Sequence, residues 1–178
     1  TPLNPRSPYG VAKAFAHYTL VSYRESYGIH ACAAIMFNHE SPRRGVEFIS
    51  RKVALGVARI KKAGSGVLPL GNLDAQRDWG WAPEYMTYLP LIAAQPEPGD
   101  FCLATGEAHS VRELCEVAFA TVGLDWHNHV ISDPALYRPA DINTMRGDSR
   151  KAKRVLGFEP QVRFAEVMRR LVEAELDA

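Results

Sequence analysis

No apolar run in this chain approaches the ~20 residues that a membrane-spanning helix needs, and no cleavable signal stands at its start. Charge of one sign is not in excess: 21 basic and 20 acidic residues leave a formal net charge of +1. That balance removes any electrostatic reason to expect a nucleic-acid or anionic-membrane partner. Cysteine is scarce. Cys32, Cys102 and Cys115 are widely spaced, odd in number and without a CxxC pair, so they read as buried, reduced thiols of a cytosolic protein. The six histidines show no grouping of metal-site spacing. A glycine-rich strand–turn–helix that would cradle a dinucleotide pyrophosphate is also absent. There is no initiator methionine: the chain opens Thr1-Pro2-Leu3-Asn4-Pro5, with no element before the first chemical motif, and this start reads as a cut.

What is present is an ordinary globular composition, 47% hydrophobic and 23% charged over 178 residues, enough for one sizeable core. Ser7-Pro8 suits a helix start, with serine as N-cap and proline in the first turn. The run Tyr9 to Tyr27 predicts a long helix stopped by Gly28. Ile29 to Phe37 is a continuous apolar run, as for a parallel strand buried on both faces. A polar loop follows, and from Val46 to about Lys62 apolar residues recur at helical spacing. Val67 to Leu70 predicts a short strand before the turn-forming cluster Gly71-Asn72-Leu73-Asp74. A helix is expected from Pro83 to Ala94, kinked or broken at Pro90. Asp100 to Ala104 reads as a strand, and Ser110 with Glu113 as a capping box opening a helix to Val122. Two short helices close the chain, at about Ser149 to Leu156 and Phe164 to Leu176. Strands alternating with helices imply an α/β fold, here with half of a doubly wound parallel sheet missing.

Three blocks carry chemistry. Tyr9 and Lys13 form a Y-x-x-x-K pair, and residues four apart share one helical face. Free tyrosine, with a pKa near ~10, is a poor base at neutral pH, and a neighbouring ammonium favours the phenolate. The loop Asn38-His39-Glu40-Ser41-Pro42-Arg43-Arg44-Gly45 lies at the carboxyl end of an apolar strand, where open α/β sheets place ligands. Its paired arginines can hold phosphate by forked bonds; the plainer reading is a solvated loop with an internal Glu40–Arg pair. In Leu70 to Gly80 a Gly/Asn-rich turn lets backbone approach a ligand, and Arg77 can add charge to a diphosphate. The plainer reading there is a turn closed by an Asp74–Arg77 or Arg77–Asp78 pair. Trp79 and Trp81 read as packing residues, and Lys151, Lys153 and Arg154 as a solvated helix face.

With SPYGVAK (Ser7 to Lys13), NHESPRRG (Asn38 to Gly45), LGNLDAQRDWG (Leu70 to Gly80) and YRPADI (Tyr137 to Ile142) in this order, the chain resembles the GDP-mannose 4,6-dehydratases. These belong to the extended short-chain dehydrogenase/reductases. The resemblance covers nearly the whole chain. It implies a partial Rossmann-like doubly wound sheet plus a smaller C-terminal substrate-binding α/β lobe. Residues 1–45 would end the NADP-binding domain and 46–178 would bind the sugar nucleotide, GDP-mannose. Tyr9 and Lys13 would be catalytic and, with His39 and Arg44, would contact NADP. Asn38, Lys52, Gly71, Asn72, Arg77, Arg138 and Asp141 would contact the substrate. The resemblance also implies a cytoplasmic homo-oligomer.

The chain departs from the family pattern in two places. Most members carry glutamate where this chain has Asp141, one methylene shorter. After Gly80 the family continues with histidine and alanine, whereas this chain has Trp81, Ala82, Pro83 and Glu84. In the family a glycine-rich loop and a Thr/Ser-x-Glu base motif precede the Y-x-x-x-K helix, so this chain alone is expected to be catalytically dead or nearly so. Three readings stand: a piece of an active dehydratase, a non-catalytic sugar-nucleotide-binding remnant, and a related GDP-sugar reductase or 4-epimerase. The NHESPRRG loop argues against the third.

Overall fold

The structure, a computed structural model, describes residues 1–137 and 142–178. Helix α1 spans Pro8–Tyr27. Its N-cap Ser7 accepts from the Gly10 amide at 3.0 Å, and Gly28 ends it in the left-handed region at φ 62°. None of its residues is buried, and Tyr9, Phe15, Tyr18, Tyr23 and Tyr27 all lie exposed. Arg24 ties the end of α1 to the body through Asp100 at 2.7 Å and the Ala31 carbonyl at 2.9 Å.

The apolar run after Gly28 forms a shorter strand than its sequence suggests. Strand β1 is Ala33–Met36, and the chain bends at Phe37 into β2, Asn38–Glu40. β1 runs parallel to β6 (Asp100–Leu103), and β2 runs parallel to β5 (Trp79–Trp81). The expectation of burial on both faces is corrected. Ala34 and Met36 pack toward Tyr85 and Ile92, whereas Ile35, on the opposite face by strand alternation, is 44% exposed.

Helix α2, Ile49–Ala63, leads to β3, Leu68–Leu70, which pairs in parallel with β8, Val130–Ser132. β4 is Gln76–Arg77. It lies between β7 (His109–Ser110), antiparallel, and β9 (Thr144–Met145), parallel. Helix α3, Ala82–Ala93, runs through Pro90 without ending, so the expected break is absent. Pro83 occupies its first turn, where a missing N–H costs nothing. Glu84, next along, accepts from the backbone amides of Gln161 and Val162 at 2.9 and 3.2 Å. The departure Trp81-Ala82-Pro83-Glu84 is thus built into the packing.

Helix α4, Val111–Ala120, opens on the expected capping box, with both the Ser110 and Glu113 side-chain bonds formed. Helices α5, Arg150–Leu156, and α6, Phe164–Leu176, close the chain. One face of each of α2, α4 and α6 meets in the larger core, around Val57, Phe119, Leu171 and Trp79. A smaller core joins β1, α3, β6 and α5 around Tyr85, Phe101 and Phe158. Cys115 is buried as expected, but Cys32 and Cys102 are only partly so, because Cys102 pairs with the exposed Ile35 and Cys32 stands just before β1. Among the described residues no helix is long and apolar enough to cross a membrane, and no cluster of side chains could hold a metal ion.

Candidate functional site

The candidate residues fall on three parts of the fold. The first is the exposed face of α1. Tyr9 is 72% exposed, and the Lys13 ammonium lies 5.5 Å from its ring centroid, the face-on approach favoured by an aromatic quadrupole.

The second is β2 and the loop after it. Asn38 pairs in register with Trp79. His39 donates from Nδ1 to the Phe37 carbonyl at 2.8 Å, so in the neutral ring Nε2 is the acceptor. The ring stacks against Tyr85, centroids 5.8 Å apart. Glu40 is buried, accepts the Ser50 hydroxyl at 2.5 Å, and lies 3.4 Å from Arg44 Nε. Burial pushes the Glu40 carboxyl above its ordinary pKa, opposed by the Ser50 hydrogen bond and the Arg44 charge. The internal Glu40–Arg pair of the plainer reading therefore exists, but its carboxyl end is buried rather than solvated. The Arg44 guanidinium stacks 3.7 Å from the Phe48 ring centroid, and its backbone carbonyl accepts from Arg51 at 2.7 Å. Arg51 in turn pairs with Glu175 of α6 at 2.8 Å, which fixes this loop to the larger core.

The third part gathers Lys52, Gly71, Asn72 and Arg77 near the ends of β3, β4 and β8. Lys52 donates from Nζ to the Pro69 carbonyl at 3.1 Å. Gly71 is there for close approach: a Cβ on it would lie 2.7 Å from the Leu136 carbonyl oxygen. Asn72 accepts from the Asp74 amide at 3.0 Å, an Asx turn. Ser132 donates to the Gly71 carbonyl at 3.2 Å and touches the Tyr137 hydroxyl at 3.1 Å. Arg77 Nη1 donates to the carbonyls of Gln76 at 2.8 Å and Ile142 at 2.6 Å. Asp74 pairs with Arg112 at 2.9 Å. The structure thus sets the Gly71 turn and Arg77 against both flanks of the segment that carries Arg138 and Asp141. Those two residues lie outside the described residues.

Two groups escaped sequence reasoning. Asp78 is 1% exposed and accepts hydrogen bonds from Thr105, Gly106 and Gly147. Tyr85 is fully buried and its hydroxyl has no hydrogen-bond partner among the described residues; burial and the charges of Asp78 and Glu84 push its pKa up. The available signal was an acid directly before the apolar Trp79-Gly80-Trp81. A cavity of about 200 Å³ beside His30, Cys32 and Leu89 contains none of the candidate residues.

Parallel strands alternating with helices make this a partial Rossmann-like α/β fold. It superposes on the structure of RMD from Pseudomonas aeruginosa complexed with NADPH with a TM-score of 0.86 at 20% identity, covering 98% of this chain and 57% of that one. A dTDP-glucose 4,6-dehydratase from Bacillus anthracis in complex with NAD gives a TM-score of 0.83 at 19% identity, covering 98% of this chain and 53% of that one.

The family can be named more closely. The sequence model of the GDP-mannose 4,6 dehydratase family matches residues 1–171. The chain is 44% identical to GDP-mannose 4,6 dehydratase 1 of Arabidopsis thaliana, over 99% of this chain and 49% of that protein. It is 42% identical to the human GDP-mannose 4,6 dehydratase, over 99% of this chain and 52% of that protein. The chain belongs to the GDP-mannose 4,6-dehydratase family, and it spans about half the length of the curated relatives it matches.

Proposed function

We propose that this chain carries the sugar-nucleotide-binding part of a GDP-mannose 4,6-dehydratase. The reaction would convert GDP-D-mannose to GDP-4-dehydro-6-deoxy-D-mannose with NADP as cofactor. The observation that carries this reading is the third part of the site. Gly71 and Arg77 contact the two flanks of residues 138–141, at Leu136 and Ile142, and Lys52 reaches the Pro69 carbonyl on the strand that leads into the Gly71 turn. Two cations beside a glycine turn packed against that segment suit a diphosphate flanked by a nucleoside and a sugar.

The donor groups also fit a nicotinamide dinucleotide. A tyrosine hydroxyl and a lysine ammonium on one helix face suit ribose hydroxyls, and the Arg44 guanidinium, braced by Glu40 and Phe48, suits a phosphate. NADP, held by Tyr9, Lys13, His39 and Arg44, would supply reversible hydride transfer to the sugar. Tyr9 would accept the C4 hydroxyl proton, with Lys13 favouring its phenolate. His39 would offer Nε2 as an acceptor, Asn38 would orient the sugar, and Arg138 and Asp141 would hold the diphosphate and the ribose. Residues 1–45 would complete the cofactor domain, and residues 46–178 would form the substrate region. The exposed aromatic face of α1 supports homo-oligomer formation, and unpaired cysteines support a cytoplasmic location.

Thermal unfolding with GDP-mannose, UDP-glucose or NADP⁺ added separately tests the reading. A ligand at a hundred times its dissociation constant adds about 2.7 kcal/mol, which is several degrees for a domain of this size. Stabilisation by GDP-mannose and not by UDP-glucose is the expected result. Equal shifts with both would remove the guanosine preference, and no shift with any ligand would overturn independent binding.

A further inference from the structure

We propose that Asp78 is a positioning residue for the GDP-sugar site: its buried carboxylate sets the strand that follows residues 138–141 in place beside Arg77. This inference rests on the binding site proposed above. Arg77 and Asp78 are consecutive in an extended segment, so their side chains leave on opposite sides. Arg77 holds the Ile142 carbonyl at 2.6 Å, where the chain re-enters from residues 138–141. Five residues later, Asp78 Oδ2 accepts from the Gly147 amide at 3.2 Å. Between these anchors Gln76 and Arg77 pair with Thr144 and Met145. The stretch 142–147 is therefore held at its start, middle and end by the three residues 76–78.

The same carboxylate fixes what Gly147 rests on. Oδ1 accepts from the Thr105 amide at 2.9 Å and its hydroxyl at 2.7 Å, and Oδ2 accepts from the Gly106 amide at 2.9 Å. A Cβ at Gly147 would lie 2.1 Å from the Ala104 Cβ, so the seat is closed on both sides. A buried carboxylate with four donors cannot shift without leaving at least one N–H or O–H unpaired, and that is costly away from water. The position of β9, and with it the exit of the segment carrying Arg138 and Asp141, therefore depends on Asp78. Asp78 touches no ligand in this scheme; it acts through Arg77 and β9.

The test is titration of the whole chain with GDP, read by calorimetry. Asp78→Asn keeps size and shape but turns an amide N–H toward the Gly106 and Gly147 donors. GDP binding is expected to weaken at least tenfold at a temperature where the variant remains folded by circular dichroism. Val172→Ala, a cavity in the larger core at a residue that makes none of these contacts, serves as a control of lowered stability and should bind GDP within twofold of the parent. If Asp78→Asn does not fold, Thr105→Val decides, since it removes one donor to Asp78 and little volume; a loss of threefold or more is expected. Parent-like GDP affinity in the deciding variant overturns the proposal alone. An equal loss in Val172→Ala makes Asp78 merely structural and also overturns it. Absence of GDP binding by the parent chain overturns the site reading and this inference together.

Discussion

The Ser50 hydroxyl donates to the buried carboxylate of Glu40 at 2.5 Å, joining the end of β2 to the first turn of α2. Both residues are 1% exposed, so water cannot replace the donor if it is lost. Ser50→Ala leaves a buried acceptor underserved. Hydrogen bonds to charged groups contribute about 1.5–3 kcal/mol, so the melting temperature should fall by several degrees. Scanning calorimetry on the variant and the parent measures it.

Glu40 also gives the fold a pH dependence of known sign. Its carboxyl binds protons more tightly when folded than when unfolded, because burial outweighs the Ser50 and Arg44 contributions. The contribution of protonated Glu40 is fully present below the unfolded pKa and is lost as pH rises through the folded one. One group can contribute a slope of at most about 1.4 kcal/mol per pH unit. Glu40→Gln lacks this titration, so its stability relative to the parent should rise between pH 4 and pH 7. Urea unfolding at several pH values checks it. A difference that stays flat would show that the burial does not perturb Glu40.

Gly71→Ala probes the proposed nucleotide side of the site. The added Cβ would meet the Leu136 carbonyl oxygen at 2.7 Å, so the turn or the 134–137 segment must move. GDP affinity is expected to fall about fivefold or more, since an overpacked contact costs roughly 1–3 kcal/mol. Tryptophan fluorescence or calorimetric titration reads this directly. Unchanged affinity would mean that the turn and the segment do not act together on the ligand.

The helices were legible because their signals are local. Ser7-Pro8 and Gly28 bound α1, Ser110 with Glu113 opens α4, and the apolar face of Phe164 to Leu176 marks α6. The apolar strands at Leu68–Leu70 and Asp100–Leu103 were legible too, but the shortest strands were not. β4, β7 and β9 are two residues long and exist through partners more than thirty positions away in sequence, so no periodicity announces them. Pro90 misled for the opposite reason: a local rule predicted a break, and packing of Ile92 and Tyr85 into the smaller core keeps α3 whole. At the site, motif residues such as Arg77 could be picked out from type and context. The burial of Asp78 could not, because its donors come from residues 105, 106 and 147.

Thiol labelling reports how independently the larger core holds. Cys115 lies in that core with Leu171, and burial pushes its thiol up to about 12. At pH 8 only about one in ten thousand such thiols would be ionised, against roughly a quarter of free cysteines with a pKa near ~8.5. Cys32 and Cys102 are partly exposed and should react ahead of it. Cys115 should therefore label only when the α2–α4–α6 core opens, with a rate set by the global unfolding free energy. Leu171→Ala removes a fully packed side chain from the same core and is expected to cost about 2–5 kcal/mol. Labelling of Cys115 should then accelerate at least thirtyfold, while the rates of Cys32 and Cys102 change much less. Mass spectrometry of the labelled peptides separates the three sites. A Cys115 rate that ignores Leu171→Ala would mean that the thiol is reached by a local opening at α4, and that the three helices do not form one cooperative unit.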